Sequence, residues 1–295
     1  MKTINWLGRI ALALASICTI LAFIFLVSDL LSIKSMRDSI ALGAAVSSER
    51  EVYLVSAARI VVKEQNRTYI RDFPGRDIEA IAISPNGNTL LMQIRETGGF
   101  SLLLALNFQE GNIWELPYSG GHPTFLDDQR ILVDHAGKIF LINLRDPNTQ
   151  TFLARGSRPA GIIGQNAFVF QKPDATLALY KIDILEETPI HLDIHAVAPA
   201  VSPDGKFIAF LNGDANYCDT YCPGTLWVYS FESKQARQIQ STGIQHLPVW
   251  KNNYTVHATS SHALWISNTK TRDKIMYSFS IYDKAQPVPV SIVPK

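Results

Sequence analysis

Beyond residue 46 the apolar positions fall in short runs, each bounded by Gly, Pro, Asn or Asp. Residues 52–55, 59–62, 102–106, 139–142, 177–180 and 226–229 are of this kind. Runs of that length, punctuated by turn formers and lacking a 3.6-residue period, predict β-strands. The pattern upstream is different. Lys2 and Arg9 precede an uncharged run over residues 10–28, with Trp6 near its start. About 20 apolar residues in a helix cross a bilayer, and Trp suits the lipid–water boundary. The hydropathy pattern therefore predicts an all-β body preceded by one transmembrane α-helix.

One phrase organises the β part: Ser202-Pro203-Asp204-Gly205-Lys206-Phe207-Ile208-Ala209-Phe210. Ser opens a type I turn, Pro presets φ at its second position, and Gly suits the fourth. The apolar run that comes next has the length of an inner strand. A second copy reads Ser84-Pro85-Asn86-Gly87-Asn88-Thr89-Leu90-Leu91-Met92. Weaker copies follow Pro123-Thr124-Phe125, Pro159-Ala160-Gly161 and Pro248-Val249-Trp250, as Pro199-Ala200-Val201 precedes the best one. Positions equivalent to Ser202 fall at 84, 126, 162, 202 and 251, with gaps of 42, 36, 40 and 49. A four-stranded propeller blade occupies about 40–45 residues. Adding an atypical first unit of three strands gives six, of which the last is long and less regular. The expectation is a six-bladed β-propeller of four-stranded antiparallel blades, a ring that can be closed by strands from both chain ends.

The phrase at residues 199–210, and less fully at 84–92, resembles the propeller repeat of TolB-like and related WD40-like domains. The resemblance extends over roughly residues 45–295 and implies a propeller with a binding or scaffolding role. It carries over no catalytic residue, because the shared motif is structural. Asp127-Asp128, Gly164-Gln165 and Asn252-Asn253 depart from Pro-Asp-Gly.

Composition narrows the partners. Hydrophobic residues make up 47% and charged ones 18%, so a large core is expected and disorder is not. A formal net charge of +1 without a dense basic run excludes general attraction to nucleic acid. The expected division is a cytoplasmic N-terminus over residues 1–9, an uncleaved signal-anchor helix over 10–33, a connecting segment over 34–45 and the propeller over 46–295. Cys18 does not sit in a lipobox, since Ile17 stands where a small residue belongs and the apolar run continues beyond. A short basic N-terminus before a single apolar helix exports the chain downstream of that helix, which places the propeller on the periplasmic or extracellular side.

Cys218 and Cys222, four apart among turn formers, agree with export: in an oxidising compartment they predict a loop disulfide. In the cytosol they would be free thiols or half a metal site. Tyr217, Asp219 and Tyr221 on the same loop make it a candidate partner contact. His122, Arg158 and His246 stand at or near the starts of innermost strands, where they would line a polar funnel at one mouth of the central channel. His191 and His195, four apart, lead into a strand and read as surface residues rather than a metal pair. Asp127 and Asp128 read as turn residues before a calcium site. No phosphate-cradling, metalloprotease or Gly-x-Ser-x-Gly motif occurs. The functional expectation is a membrane-anchored, non-enzymatic interaction domain without cofactor or metal, binding protein partners in the membrane or envelope. The alternatives are a ligand-binding sensor, or a hydrolase or lyase working at the channel mouth.

Overall fold

The computed structural model describes residues 19–20, 23–24, 27, 41–96, 101–213, 224–244, 248–266, 269–282 and 288–292, with backbone alone for 241–244, 260–266 and 269–274. The described residues form an all-β, six-bladed propeller. Blade 1 contains β1 (Gly43–Val46), β2 (Glu51–Ser56), β3 (Arg59–Lys63) and β4 (Thr68–Asp72). Blade 2 contains β5 (Asp77–Ile83), β6 (Thr89–Arg95), β7 (Ser101–Asn107) and β8 (Ile113–Ser119). Blade 3 contains β9 (Gly121–Phe125), β10 (Arg130–His135), β11 (Lys138–Asn143) and β12 (Asp146–Arg155). Blade 4 contains β13 (Ser157–Ile162), β14 (Ala167–Gln171), β15 (Leu177–Lys181) and β16 (Glu186–Ile190). Blade 5 contains β17 (Val197–Val201), β18 (Phe207–Gly213), β19 (Gly224–Ser230) and β20 (Gln235–Ile244). Blade 6 contains β21 (Val249–Asn252), β22 (Thr255–Ile266), β23 (Thr269–Ser280) and β24 (Val288–Pro289). Neighbouring strands within each blade are antiparallel.

Burial follows the order of strands. The second strand of a blade lies between both neighbouring blades, so Leu90–Ile94 and residues 167–171 are buried at every position. That is why these stretches read as unbroken apolar runs rather than as alternation. The fourth strands, such as β8 and β16, are mostly exposed. Successive residues of a second strand face opposite blades. Leu90 and Met92 join the core shared with blade 1, while Leu91 joins that shared with blade 3. The protein therefore has one core per blade junction. The junction between blades 6 and 1 gathers six buried apolar residues, against eight to thirteen at the others, among the described residues.

The ring is closed without strand exchange. Every blade is contiguous in sequence, and β1 begins at Gly43 to complete the first blade. Tyr53, Val61, Met276 and Ile292 pack across the closing junction instead. Blades 5 and 6 are additionally joined by one backbone pairing, Ile244 with Ser260. The expected membrane helix, residues 10–33, lies outside the described residues save for five. Among the described residues no helix is long and apolar enough to cross a membrane.

Both good copies of the turn phrase are built alike. Gly205 N–H donates to Ser202 O at 2.8 Å and Gly87 N–H to Ser84 O at 2.8 Å, each closing a tight turn. Both glycines have φ above +70° (71° and 73°), a conformation that disfavours side chains. The Ser202 hydroxyl accepts Phe207 N–H at 2.9 Å and donates to Asp204 Oδ1 at 2.7 Å. Ser84 does the same with Thr89 N–H and Asn86 Oδ1, at 2.9 and 2.7 Å. Sequence chemistry thus decides the turn locally.

Candidate functional site

The six innermost strands surround a central channel of about 560 Å³. They all run in the same direction, from a leading mouth, where the strands begin, to a turn mouth, where the Ser-Pro phrases lie. The wall is largely apolar. Pro85, Pro123, Pro159, Pro199, Pro203 and Pro248 contribute to it, with Ala82, Ala160, Val201 and Trp250. Gly161 has to be glycine, since a Cβ there would stand 2.2 Å from Phe125 O of the adjacent inner strand.

Polar groups collect at the leading mouth, on blades 2 to 4. Three inner strands carry a bulge with a positive-φ residue there, at His122, Arg158 and Ala198, with φ of 45°, 51° and 55°. A bulge turns a backbone N–H away from its own sheet. Each of these N–H groups is taken by the preceding blade. His122 N–H donates to Gln93 Oε1 at 2.9 Å, Arg158 N–H to Asp134 Oδ2 at 2.5 Å, and Ala198 N–H to Gln171 Oε1 at 3.2 Å. Gln93, Asp134 and Gln171 are the fifth residues of β6 and β14 and of the equivalent strand β10, and all three are buried. They form a repeated clasp between blades.

The clasp also fixes the ionisable side chains. His122 Nδ1 lies 3.0 Å from Asp134 Oδ2, so the carboxylate orients the imidazole. Burial alone would raise the Asp134 carboxyl. The His122 ring, the Arg158 amide and the Arg158 charge outweigh it and hold the carboxyl below its ordinary range. The Gln93 amide donates to Glu79 Oε2 at 2.9 Å, and Glu79 is ion-paired with Arg95. Gly121 allows this approach, because a Cβ there would meet Asp134 Oδ1 at 2.9 Å. Asp134 and Glu79 are thus committed to structure.

His122 and Arg158 lie at one mouth of the channel, while His246 lies outside the described residues. So do Tyr217, Cys218, Asp219, Tyr221 and Cys222. His191 and His195 are exposed residues of the connection between β16 and β17. Asp127 accepts Gln129 N–H at 2.9 Å and Arg130 N–H at 2.8 Å, and Asp128 accepts Asn86 N–H of blade 2 at 2.9 Å. Sequence reading missed Gln93, Asp134 and Gln171. Their signal was a polar residue ending an apolar run at a fixed offset from the turn: Leu90-Leu91-Met92-Gln93, Ile131-Leu132-Val133-Asp134, Phe168-Val169-Phe170-Gln171.

A belt of bonds links the turns at the other mouth. Arg50 Nη1 donates to Gly87 O at 2.5 Å, Arg130 Nη1 to Asn166 Oδ1 at 2.6 Å, and Asp204 N–H to Asn253 Oδ1 at 3.1 Å. Each bond joins one blade to the next.

No protein-family model and no curated protein matches the chain. Solved structures do. TolB from Acinetobacter baumannii is similar over 83% of this chain and 61% of its own, with a TM-score of 0.62 and 14% identity. This chain thus spans about three fifths of the TolB chain. An oligogalacturonate lyase in complex with manganese is similar over 81% of this chain and 76% of its own (TM-score 0.55, 12% identity). The oligogalacturonate lyase of Vibrio parahaemolyticus is similar over 81% and 77% (TM-score 0.54, 12% identity). The fold is that of a TolB-like propeller. At these identities the likeness establishes the fold alone.

Proposed function

We propose that this chain is a membrane-tethered propeller that works by binding, presenting its channel and faces to a protein partner on the exoplasmic side of the membrane. One observation carries the reading. Gln93, Asp134 and Glu79 at the leading mouth are engaged by hydrogen bonds and ion pairs within and between blades, beside an apolar channel of about 560 Å³ that can take a ligand segment. Channels of that volume, mostly apolar with a few polar groups, are of a size to bind. The tether is residues 10–33, and the orientation follows from the short basic N-terminus. The loop that carries Cys218 and Cys222 supplies a second contact.

The lyase likeness favours a second reading, catalysis at the leading mouth with the His122–Asp134 pair as base. General acid–base chemistry needs a converging partner group. Glu79 is occupied by Arg95 and Gln93. Among the described residues no three His, Cys, Asp or Glu side chains converge as a metal site.

The test is recovery of cross-linked partners from native membranes. Val201→Arg, which charges the channel wall, is expected to lose at least nine tenths of them at an unchanged thermal midpoint. Undiminished recovery from both Val201→Arg and a variant lacking residues 216–223 overturns the binding reading. Turnover of an oligogalacturonate that His122→Ala abolishes replaces it with catalysis.

A further inference from the structure

β22 and β23 are 12 residues each, whereas second and third strands elsewhere are 5 to 7. Their pairing is unbroken from Thr255 opposite Ser280 to Ile266 opposite Thr269. Thr259 is the fifth residue of its strand, level with Gln93, Asp134 and Gln171 at the leading mouth. Residues 260–266 therefore run past the ring on that face, by up to about 23 Å at about 3.3 Å per residue. β20 braces the root of this ribbon through Ile244 and Ser260.

The chain joins the ring at the same place. Ala41, fully buried, packs in one cluster with Met276 and Ile292, and Met276 pairs with Thr259. Seven residues, 34–40, separate Ala41 from the proposed tether. Seven residues reach at most about 25 Å when fully extended. The ribbon, of up to about 23 Å, is thus comparable in length with the tether that it is rooted beside, which is no longer than about 25 Å.

Its sequence suits a bilayer surface. β22 finishes Ala263-Leu264-Trp265-Ile266, and Lys270, Arg272 and Lys274 alternate along β23. Cross-strand register sets Lys270 opposite Trp265, Arg272 opposite Ala263 and Lys274 opposite Ser261, so these positions share one face of the ribbon. Asp273, opposite His262, belongs to the other face. Trp concentrates at the lipid–water boundary, and each Lys or Arg beside an anionic leaflet raises occupancy about fivefold.

We propose that the β22–β23 hairpin is a second membrane contact. It rests on an anionic bilayer surface and holds the propeller with the leading mouth toward the membrane and the turn mouth away from it. The proposal rests on the tethered reading, and the experiment separates the two. Full-length chain is placed in nanodiscs of phosphatidylcholine, with or without phosphatidylglycerol, whose acyl chains carry bromine, a contact quencher of Trp emission.

The emission that Trp265→Phe removes is expected to be quenched by the brominated lipid. Joint replacement of Lys270, Arg272 and Lys274 by Glu should cut that quenching at least fivefold in discs containing phosphatidylglycerol, and less than twofold without it. Ala263→Trp in the Trp265→Phe background restores quenching on the same face, which controls for misfolding at one position. A chain held in the disc with no quenchable emission at 265 or 263 overturns the hairpin contact and leaves the tether standing. That is also the result if the hairpin docks on a protein. A chain that does not enter the disc overturns both.

Discussion

The junctions from blade 2 to blade 5 and the junction between blades 6 and 1 solve the same problem by different means. In the first group a buried Gln or Asp reaches across to a bulged backbone N–H, so each blade is bonded to the next at fixed register. At the closing junction the fifth residue of the second strand is Thr259, whose buried Oγ1 has no hydrogen-bond partner among the described residues. Side-chain packing and a charged cluster serve there instead. Tyr53 stacks on His257 at 6.4 Å between ring centroids. Its hydroxyl donates to Glu51 Oε2 at 2.6 Å, and Lys251 is ion-paired to Glu51 at 3.0 Å. Lys63 lies 5.4 Å from the Tyr53 ring centroid and bonds Ser291 O. Bonds of fixed geometry hold the middle of the chain together; titratable groups hold its two ends.

That contrast can be broken hardest at Asp134. Replacing it with Ala leaves the Arg158 N–H and the His122 ring without their buried acceptor. Breaking such a buried charged contact costs about 3–5 kcal/mol, to be read from denaturant unfolding.

Acid acts next, and on the other junction. Burial, then the Lys251 charge, pushes His257 down to about 4, from an ordinary value near 6.5. The unfolded chain therefore binds a proton that the folded one refuses. Stability is full above about pH 6.5 and falls as pH drops toward 4, by about 3 kcal/mol. Glu51 and Asp134, both held below the ordinary carboxylate range, lose their contributions only at lower pH, below about 4.5. His257→Phe is expected to flatten the slope between pH 6.5 and 4.5. An unchanged slope in thermal unfolding would place the acid sensitivity elsewhere.

Gln171→Leu removes a neutral acceptor and strands Ala198 N–H, at a cost of about 1–3 kcal/mol. The smallest effect is a gain. Thr259→Val removes an unpaired buried hydroxyl at nearly equal volume and is expected to stabilise by about 1 kcal/mol. A loss of more than that would show that the hydroxyl has a partner and that the closing junction is bonded like the others.

The same contrast marks how much of the molecule was legible in its sequence. Ser84 and Ser202 announced the repeat because their turns are decided by residues at most five positions away. The inner and second strands followed from that register, and with them the leading mouth that holds His122 and Arg158. Tyr53 and His257 could not be matched in the same way. They are 204 positions apart in the chain, and no local pattern marks a contact between its first and last blades. Gln93, Asp134 and Gln171 fell between these cases, visible as a polar residue at a fixed offset but readable as a bond only once the bulges opposite them were known.

Because each blade is completed by its own four consecutive strands, no blade owes a strand to another. Gain or loss of one unit of about 40 residues by gene duplication or deletion would leave no sheet short of a member. Ring size in such a lineage is then set by how well the first and last blades meet, and the whole burden of changing it falls on a handful of side chains around Tyr53 and His257.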